Sequence, residues 1–387
     1  MIRFCSLPII DDPSLRAEIS RRGFILEIDE DDPPPTLDLC RRVNNAIPAM
    51  IRGLDGRLVR RERVVPMESG LVEWRLPSAF SSRAEIPAPF EFIGISHGTI
   101  AVAMDRFNRI LAHPENFLQV GDPTREVAPP AIQLADMPLM NLDWWRWATP
   151  NCPIRRYFAD LLAMTYVEIV ALHEYSHLVN GHVGLLNERG SPREPLLLQT
   201  LEMDADSTAA LYAIEMGRLK QIVWHGVQNS ANADFRAAWQ IAFSTPRRCF
   251  ITLLIAGYTF LRTFDKSWDL PAQADGTHPQ HAIRMRMLAD CLQENLRNRP
   301  VPGYSTEQFV IDAGNVFGTT DLAIARMTGS EPNREVWESA FVGRAAAEYF
   351  YRLERKWAEV RLELDRHAKV TLLSPVDWSR LPKAPQT

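Results

Sequence analysis

The run of apolar and polar positions divides the chain into a weakly patterned first quarter and a strongly helical remainder. Residues 1–89 hold only short strand-like runs, such as Gly23–Ile28 and Leu71–Arg75, and are expected to form a small mixed or irregular region. Asp29 to Pro35 reads as a linker, because consecutive prolines cannot continue a helix and the acidic run stays solvated. Leu54-Asp55-Gly56-Arg57 reads as a tight turn. Phe90–Ser96 then reads as a strand, and Thr99–Ala112 sets Ile100, Met104, Phe107 and Leu111 at helical spacing. A proline-rich loop follows over Val127–Pro138.

From Asn151 the helical period dominates. Asn151 and Pro153 open a segment whose apolar residues (Phe158, Leu161, Leu162, Val167, Ile169, Val170, Leu172) cover most of a buried helix. Asn180-Gly181 closes it, since those two types most readily take the left-handed cap conformation. Gly184–Pro195 reads as a loop, and further helices are predicted near Leu196–Val223, Asp234–Phe243 and Arg248–Phe264. After a loop over Asp265–Gly276, Thr277 caps a helix running to about Leu296. Shorter helices and one long one, Glu335–His367, complete the chain. The long helix carries Ala346, Tyr349, Leu353, Trp357, Val360 and Leu364 at spacings of three and four. Such a stripe packs on its own domain by default, with homo-oligomer formation or partner binding as the alternative.

The expected fold is therefore mainly α (α+β), with a small edge sheet. We divide it into residues 1–89, a central domain over 90–300 and a C-terminal helical region over 301–387. The 387 residues are 46% apolar and 24% charged, the balance of an ordinary folded protein. A net charge of −5 gives no reason to expect a nucleic-acid or anionic-membrane partner. Five cysteines (Cys5, Cys40, Cys152, Cys249, Cys291) show no CxxC spacing, which argues against a thiolate metal site or a disulfide framework and fits a reducing cytoplasm. The apolar run near the start is too short for a signal-peptide core. The stretch Phe250–Leu261 is too short for a membrane span, which needs about 20 residues, and reads as a buried core helix.

Chemistry concentrates in His173-Glu174-Tyr175-Ser176-His177, an HExxH sequence on the long buried helix. Four helical residues turn through roughly 400° and rise about 6 Å, so His173 and His177 share a face. Both ring nitrogens can then reach one zinc ion at about 2.0–2.1 Å. Glu174 lies one step around, where it can act as general base toward a zinc-activated water without occupying a ligand position. The bland alternative, two histidines on a solvated face, is weakened by the nearly all-apolar run that precedes them.

A catalytic zinc takes three protein ligands and keeps one position open. The pattern HExxHxxGxxH fails here, because Asn180 and Val183 stand where it needs glycine and histidine. His182 is one residue early and reads as a loop or pocket-edge residue. The other arrangement draws a glutamate from a later helix. Leu201-Glu202-Met203-Asp204-Ala205-Asp206 supplies Glu202, 25 residues after His177. Glu202 and Asp206 share a helix face, so one carboxylate can bind metal while the other orients a ligating imidazole, a role whose loss typically costs about 10–100-fold in affinity or activity. Ala205, Ser207, Ala209 and Ala210 would let this helix pack closely on the first.

Thr277-His278-Pro279, with Arg284 five residues after the proline, adds a third block. HExxH, then ExxAD, then HPxxxxR together resemble the metallopeptidase family that includes the HtpX heat-shock proteases and the CAAX prenyl proteases. The resemblance spans about residues 155–290 and implies a zincin-like domain, with His173, His177 and Glu202 as zinc ligands and Glu174 as general base. It also implies Asp206 as the carboxylate behind a ligand, His278 as the group that stabilises the oxyanion, and Arg284 as a brace for the acidic motif. A donor imidazole near a helix start suits that task, and His281, one turn along, is set apart from it by the His-Pro pair. The best-known members carry transmembrane helices that this chain lacks. Its layout, with strand Phe90–Ser96 and helix Thr99–Ala112 ahead of HExxH, is also similar to cytoplasmic phage-exclusion peptidases of the Lit type.

The expected activity is hydrolysis of a peptide bond in a cytoplasmic protein or peptide substrate. The rival is a non-catalytic binding or regulatory protein that keeps a zincin-like domain and assembles through its C-terminal helix. Glu174 disfavours it, because a purely structural site has no use for a general base. Trp144-Trp145-Arg146-Trp147 reads as packing against a neighbouring element, with lining of a substrate cleft as the alternative. His97, His113, His225 and His367 lie outside any ligand spacing.

Overall fold

The structure, a computed structural model of the chain, describes residues 24–25, 34–55, 65, 67–73, 78–84, 90–132, 148–190, 194–263, 279, 281–332 and 343–370. They form a mainly helical fold with one small sheet. The sheet runs β1 (Phe24–Ile25), β2 (Met67–Glu73), β4 (Phe90–Ser96), β3 (Ala79–Ala84) across its width. β4 is parallel to β2, with Ser69 opposite Ile93, and antiparallel to β3. All seven residues of β4 are buried, as expected of a strand covered on both faces, and the one charged residue among them, Glu91, pairs with Lys369.

Part of the first quarter is helical where its sequence reads as irregular. A 22-residue helix, α1 (Pro34–Asp55), occupies what reads as irregular chain, and Val43, Ile47, Met50, Ile51 and Leu54 bury its inner face. The prolines at 34 and 35 end the apparent linker by opening this helix, since the first turn has no use for their missing N–H groups. Pro48 lies inside the helix and disguises its period.

Ser96 ends β4 and caps α2 (His97–Ala112), its hydroxyl accepting from the Thr99 amide at 3.1 Å. The central element is α3 (Pro153–Val179), 27 residues long and buried along nearly its whole length. It packs against α2, α5 (Pro195–Ile222), α7 (Ala233–Phe243) and α8 (Pro246–Thr263). α6 (Trp224–Val227) is a single turn between α5 and α7. α9 (His281–Asn298) lies on α5 and α8, and α10 (Thr306–Thr328) lies on α8. The apolar stretch Phe250–Leu261 is a core helix, with Leu254, Ala256 and Tyr258 fully buried within α8. No helix among the described residues is long and apolar enough to cross a membrane.

One predicted loop is a helix. Gly184–Pro195 overlaps α4 (His182–Arg189), two turns that begin directly after the helix carrying HExxH. Gly181 takes a left-handed φ of 83° and turns the chain back, and Leu185 then buries itself among Leu197, Leu201, Val360 and Leu364. The eight-residue length and the glycine at position 184 hide this period from a sequence reading. The final helix, α11 (Arg344–His367), packs its stripe on the rest of the chain. Ala346 and Leu353 meet Met203, Ile283 and Met287, while Val360 and Leu364 join Leu185 and Leu197. Trp144–Trp147, Thr277 and the loop Asp265–Gly276 lie outside the described residues.

The start of α3 is anchored by Arg155, which is fully buried. Its guanidinium donates to five carbonyls, those of Leu111 (2.7 Å), Asn116 (2.8 Å), Val120 (2.9 Å), Phe117 and His113 (3.1 Å each). Glu126 lies 3.7 Å away and balances the charge. The planar fork gathers the end of α2 and the turn after it onto the helix that carries the motif. Arg155→Met should cost about 3–5 kcal/mol, because it strands several buried carbonyls and an acidic partner. Arg155→Lys should recover only part, since an ammonium offers three donors from a single point. Denaturant titration reads both, and a Met variant within experimental error of wild type would show that these carbonyls find water instead.

Candidate metal centre

Helix geometry brings the two motif histidines together. The rings of His173 and His177 meet edge to face, centroids 4.7 Å apart, with their Nε2 atoms 3.1 Å from each other. α5 crosses α3 at this level, and its small buried residues, among them Ala205, Ala209 and Ala210, allow the close approach. That crossing delivers Glu202, whose Oε2 is 3.2 Å from His173 Nε2 and whose Oε1 is 3.4 Å from His177 Nε2. One donor atom from each of the three residues lies within 4.8 Å of the others, an arrangement that can hold a metal ion. Glu174 is half-buried on the same helix, outside this group.

The far side of each ring is occupied. His173 Nδ1 lies 2.8 Å from Asp206 Oδ1, and Arg284 holds Asp206 through a fork, with Nε at 2.7 Å and Nη2 at 2.8 Å. Arg284 Nη2 also stands 3.9 Å from Glu202 Oε2. Asp206 and Arg284, predicted to flank the site, therefore join it in one chain of contacts. His278 lies outside the described residues. A small hollow lies beside Asp206 and Arg284, lined mainly by apolar side chains such as Ile169, Leu253 and Phe260.

His177 has a partner that the sequence reading placed elsewhere. His182 is no pocket-edge residue but fully buried, its Nδ1 2.9 Å from His177 Nδ1. Its Nε2 lies 2.8 Å from Asp204 Oδ2, and Asn180 donates to that same oxygen at 2.7 Å. Asp204 Oδ1 accepts from the indole of Trp357 at 2.9 Å. A fixed five-residue separation does not show that His182 returns to His177. The usable signal was Asn180-Gly181, because a left-handed turn directly after HExxH folds the next side chains back over the motif.

Charge in this interior is tightly compensated. Burial works against the Arg284 charge, but Asp206, Glu202 and Glu174 outweigh it and raise its pKa above the usual arginine value. Burial would raise Asp206, yet Arg284 and His173 bring it down to about 2. Burial likewise opposes ionisation of Glu202, and the two motif histidines pull it well below the usual carboxylate range. His173 is disfavoured as a cation by burial, but Asp206 and Glu202 lift it to about 10. Burial lowers His182, against the pull of Asp204. Comparison with models of known protein families, with curated proteins and with solved structures gives no match for the chain.

These shifts set how the metal-free protein responds to pH. Asp206 sits near 2 in the fold against 3.8 unfolded, so its contribution is complete above about 4 and is lost as pH falls toward 2. His173 sits near 10 against 6.5, so its contribution is complete below 6.5 and is lost as pH rises toward 10. With chelator present, stability should fall between pH 6 and pH 9, at up to about 1.4 kcal/mol per pH unit for the one proton. A bound metal must displace that proton, so metal uptake should strengthen over the same interval. Denaturant titrations at the two pH values, with chelator and with added metal, measure both trends. A flat metal-free profile would show that His173 does not retain its proton.

Proposed function

We propose that the chain is a zinc-dependent peptidase that hydrolyses peptide bonds of a cytoplasmic protein substrate. The observation that carries this reading is the close approach of two imidazoles and a carboxylate, near the spacing that ligands of one zinc ion require. Three atoms placed tetrahedrally about zinc at about 2.0–2.1 Å are separated from one another by roughly 3.3 Å. The Nε2 atoms of His173 and His177 are 3.1 Å apart, and Glu202 sets one oxygen, Oε2, 3.2 Å from the first and the other, Oε1, 3.4 Å from the second. Two imidazoles and one carboxylate also form the donor set of catalytic zinc sites, which keep a fourth position for water.

Further observations support the reading. Glu174 follows His173 directly on α3 without belonging to the ligand group, as a general base requires. The fork from Arg284 to Asp206 supplies the brace implied by the resemblance of HExxH, ExxAD and HPxxxxR to the HtpX and CAAX prenyl proteases. The described cysteines, Cys152, Cys249 and Cys291, are free thiols, in keeping with a reducing cytoplasm.

Zinc bound here would polarise the scissile carbonyl and lower the pKa of a water toward about 7. Glu174 would take a proton from the attacking water as the water oxygen bonds to the carbonyl carbon. It later gives the proton to the departing amine as the carbon–nitrogen bond breaks, a role typically contributing about 10²–10⁴ in rate. Asp206, braced by Arg284, holds His173 with Nε2 toward the metal position, while Glu202 contributes negative charge to the ligand set. To His278 we assign, by the same resemblance, stabilisation of the carbonyl oxygen as it gains charge.

Glu174→Gln should keep one equivalent of zinc and lose cleavage, by about 10²–10⁴-fold. His177→Ala should lose both. Elemental analysis of the two variants tests the ligands. Comparing cell proteins cut by wild type, by wild type with chelator and by Glu174→Gln tests the reaction and identifies the substrate. Zinc retained in full by His177→Ala would overturn the ligand assignment. Identical cleavage patterns in all three samples would overturn the peptidase.

A further inference from the structure

The residues behind His177 form a chain that ends on the last helix of the fold. We propose that α11 belongs to the metal centre as its brace: through Trp357 and Asp204 it fixes His182, and His182 holds the ring of His177 with Nε2 toward His173 and Glu202. This inference rests on the metal site of the preceding section, but not on its peptidase chemistry.

The direction of each hydrogen bond follows from one group that cannot accept. An indole N–H only donates, so Asp204 Oδ1 accepts from Trp357 at 2.9 Å. The other oxygen of this carboxylate accepts from the Asn180 amide at 2.7 Å. His182 Nε2, 2.8 Å from that oxygen, must therefore carry a hydrogen. In a neutral ring the remaining nitrogen, Nδ1, is then an acceptor, and the atom facing it at 2.9 Å is His177 Nδ1. His177 accordingly carries its hydrogen on Nδ1 and presents a bare Nε2, the form in which an imidazole binds a metal. Nothing in HExxH alone selects that tautomer.

A second set of contacts shows why α11 controls this arrangement. The turn after His177 lies directly against the end of that helix. A Cβ on Gly181 would stand 2.7 Å from both the Leu364 carbonyl oxygen and the Ala368 amide, and one on Gly184 would stand 2.8–2.9 Å from the ring of His367. The Lys369 amide donates to the Val179 carbonyl at 2.8 Å, closing the last turn of α3 against the same segment. Glu188 pairs with His367, and Arg189 with Glu363, both at 2.6 Å. Along its length α11 also covers α5, with Leu353 on Met203 and Leu364 beside Leu197 and Leu201. The helix thus grips both segments that supply the chain, one carrying His182 and the other Asp204.

The test uses the full-length protein and zinc alone. Trp357→Phe removes the N–H and keeps the ring, His182→Leu removes both nitrogens, and His182→Gln restores an acceptor and a donor. Zinc affinity is read by competition with a chromophoric chelator, and ligand geometry by the visible bands of the cobalt-substituted protein. His182→Leu should bind zinc about 10–100-fold more weakly, the usual cost of losing the group behind a ligand, with Trp357→Phe changed in the same direction and less. His182→Gln should regain part of the loss. A merely structural role would lower the thermal midpoint of the metal-free protein while leaving zinc affinity and the cobalt bands alone. Wild-type affinity in folded Trp357→Phe and His182→Leu would overturn the brace.

Nitrogen-15 NMR of the histidine rings in metal-free protein reads the same proposal without zinc. His177 is expected as the Nδ1–H tautomer in wild type and as a mixture in His182→Leu. Should wild type take up no zinc, the metal-site reading fails while this measurement still decides the hydrogen-bond chain. An Nε2–H ring at position 177 in wild type would overturn it.

Discussion

Two imidazoles and a carboxylate buried between helices must find partners there, and satisfying them governs the interior of this protein. Leaving such groups unpaired costs more than a typical hydrogen bond returns, so each requires a compensating group and each compensator another. From His173 the sequence of partners runs through Asp206 to Arg284; from His177 it runs through His182 and Asp204 to Asn180 and Trp357. Glu202 stands between the two rings, with Oε2 3.2 Å from His173 Nε2 and Oε1 3.4 Å from His177 Nε2. The cluster therefore draws on α3, α4, α5, α9 and α11, and those helices cannot shift independently without breaking a buried polar contact.

Packing and polarity cooperate in this. α3 brings its two histidines near Glu202 where it packs on α5, a helix whose buried residues beside the motif include the small Ala205, Ala209 and Ala210. At the other end of α3, Arg155 performs the corresponding service with five carbonyls, tying the motif helix to α2 and through it to the sheet. A long helix held at both ends offers a rigid platform, and rigidity matters where ligand atoms must be placed to within a fraction of an ångström.

The C-terminal helix illustrates how an apolar stripe can mislead by being correct. Ala346, Leu353, Val360 and Leu364 do form a continuous buried face, and that face is occupied by α4, α5 and α9 of the same chain. The polar member of the stripe is the informative one. Trp357 packs its half-buried ring against the apolar neighbours and directs its N–H to Asp204, giving a packing helix a role in the polar interior.

Much of this was legible along the chain because it depends on local spacing. The bounds of β4, α2, α3, α5, α7 and α8 follow the apolar period closely, and the four-residue step from His173 to His177 fixes a shared face wherever the helix lies. Glu202, Asp206 and Arg284 could be singled out because residue types and order implied them. α1 and α4 were not legible, one masked by prolines and the other by its glycines and shortness. Nor was the partnership of His177, since Asp204 and Trp357 are 153 residues apart and meet only when α11 lies down on α5. Sequence alone determined which side chains share a helix face, because that is set by backbone geometry within one or two turns. Tertiary structure decided which faces meet, and so which nitrogen of each ring is turned inward, because that depends on distant helices satisfying the same buried groups.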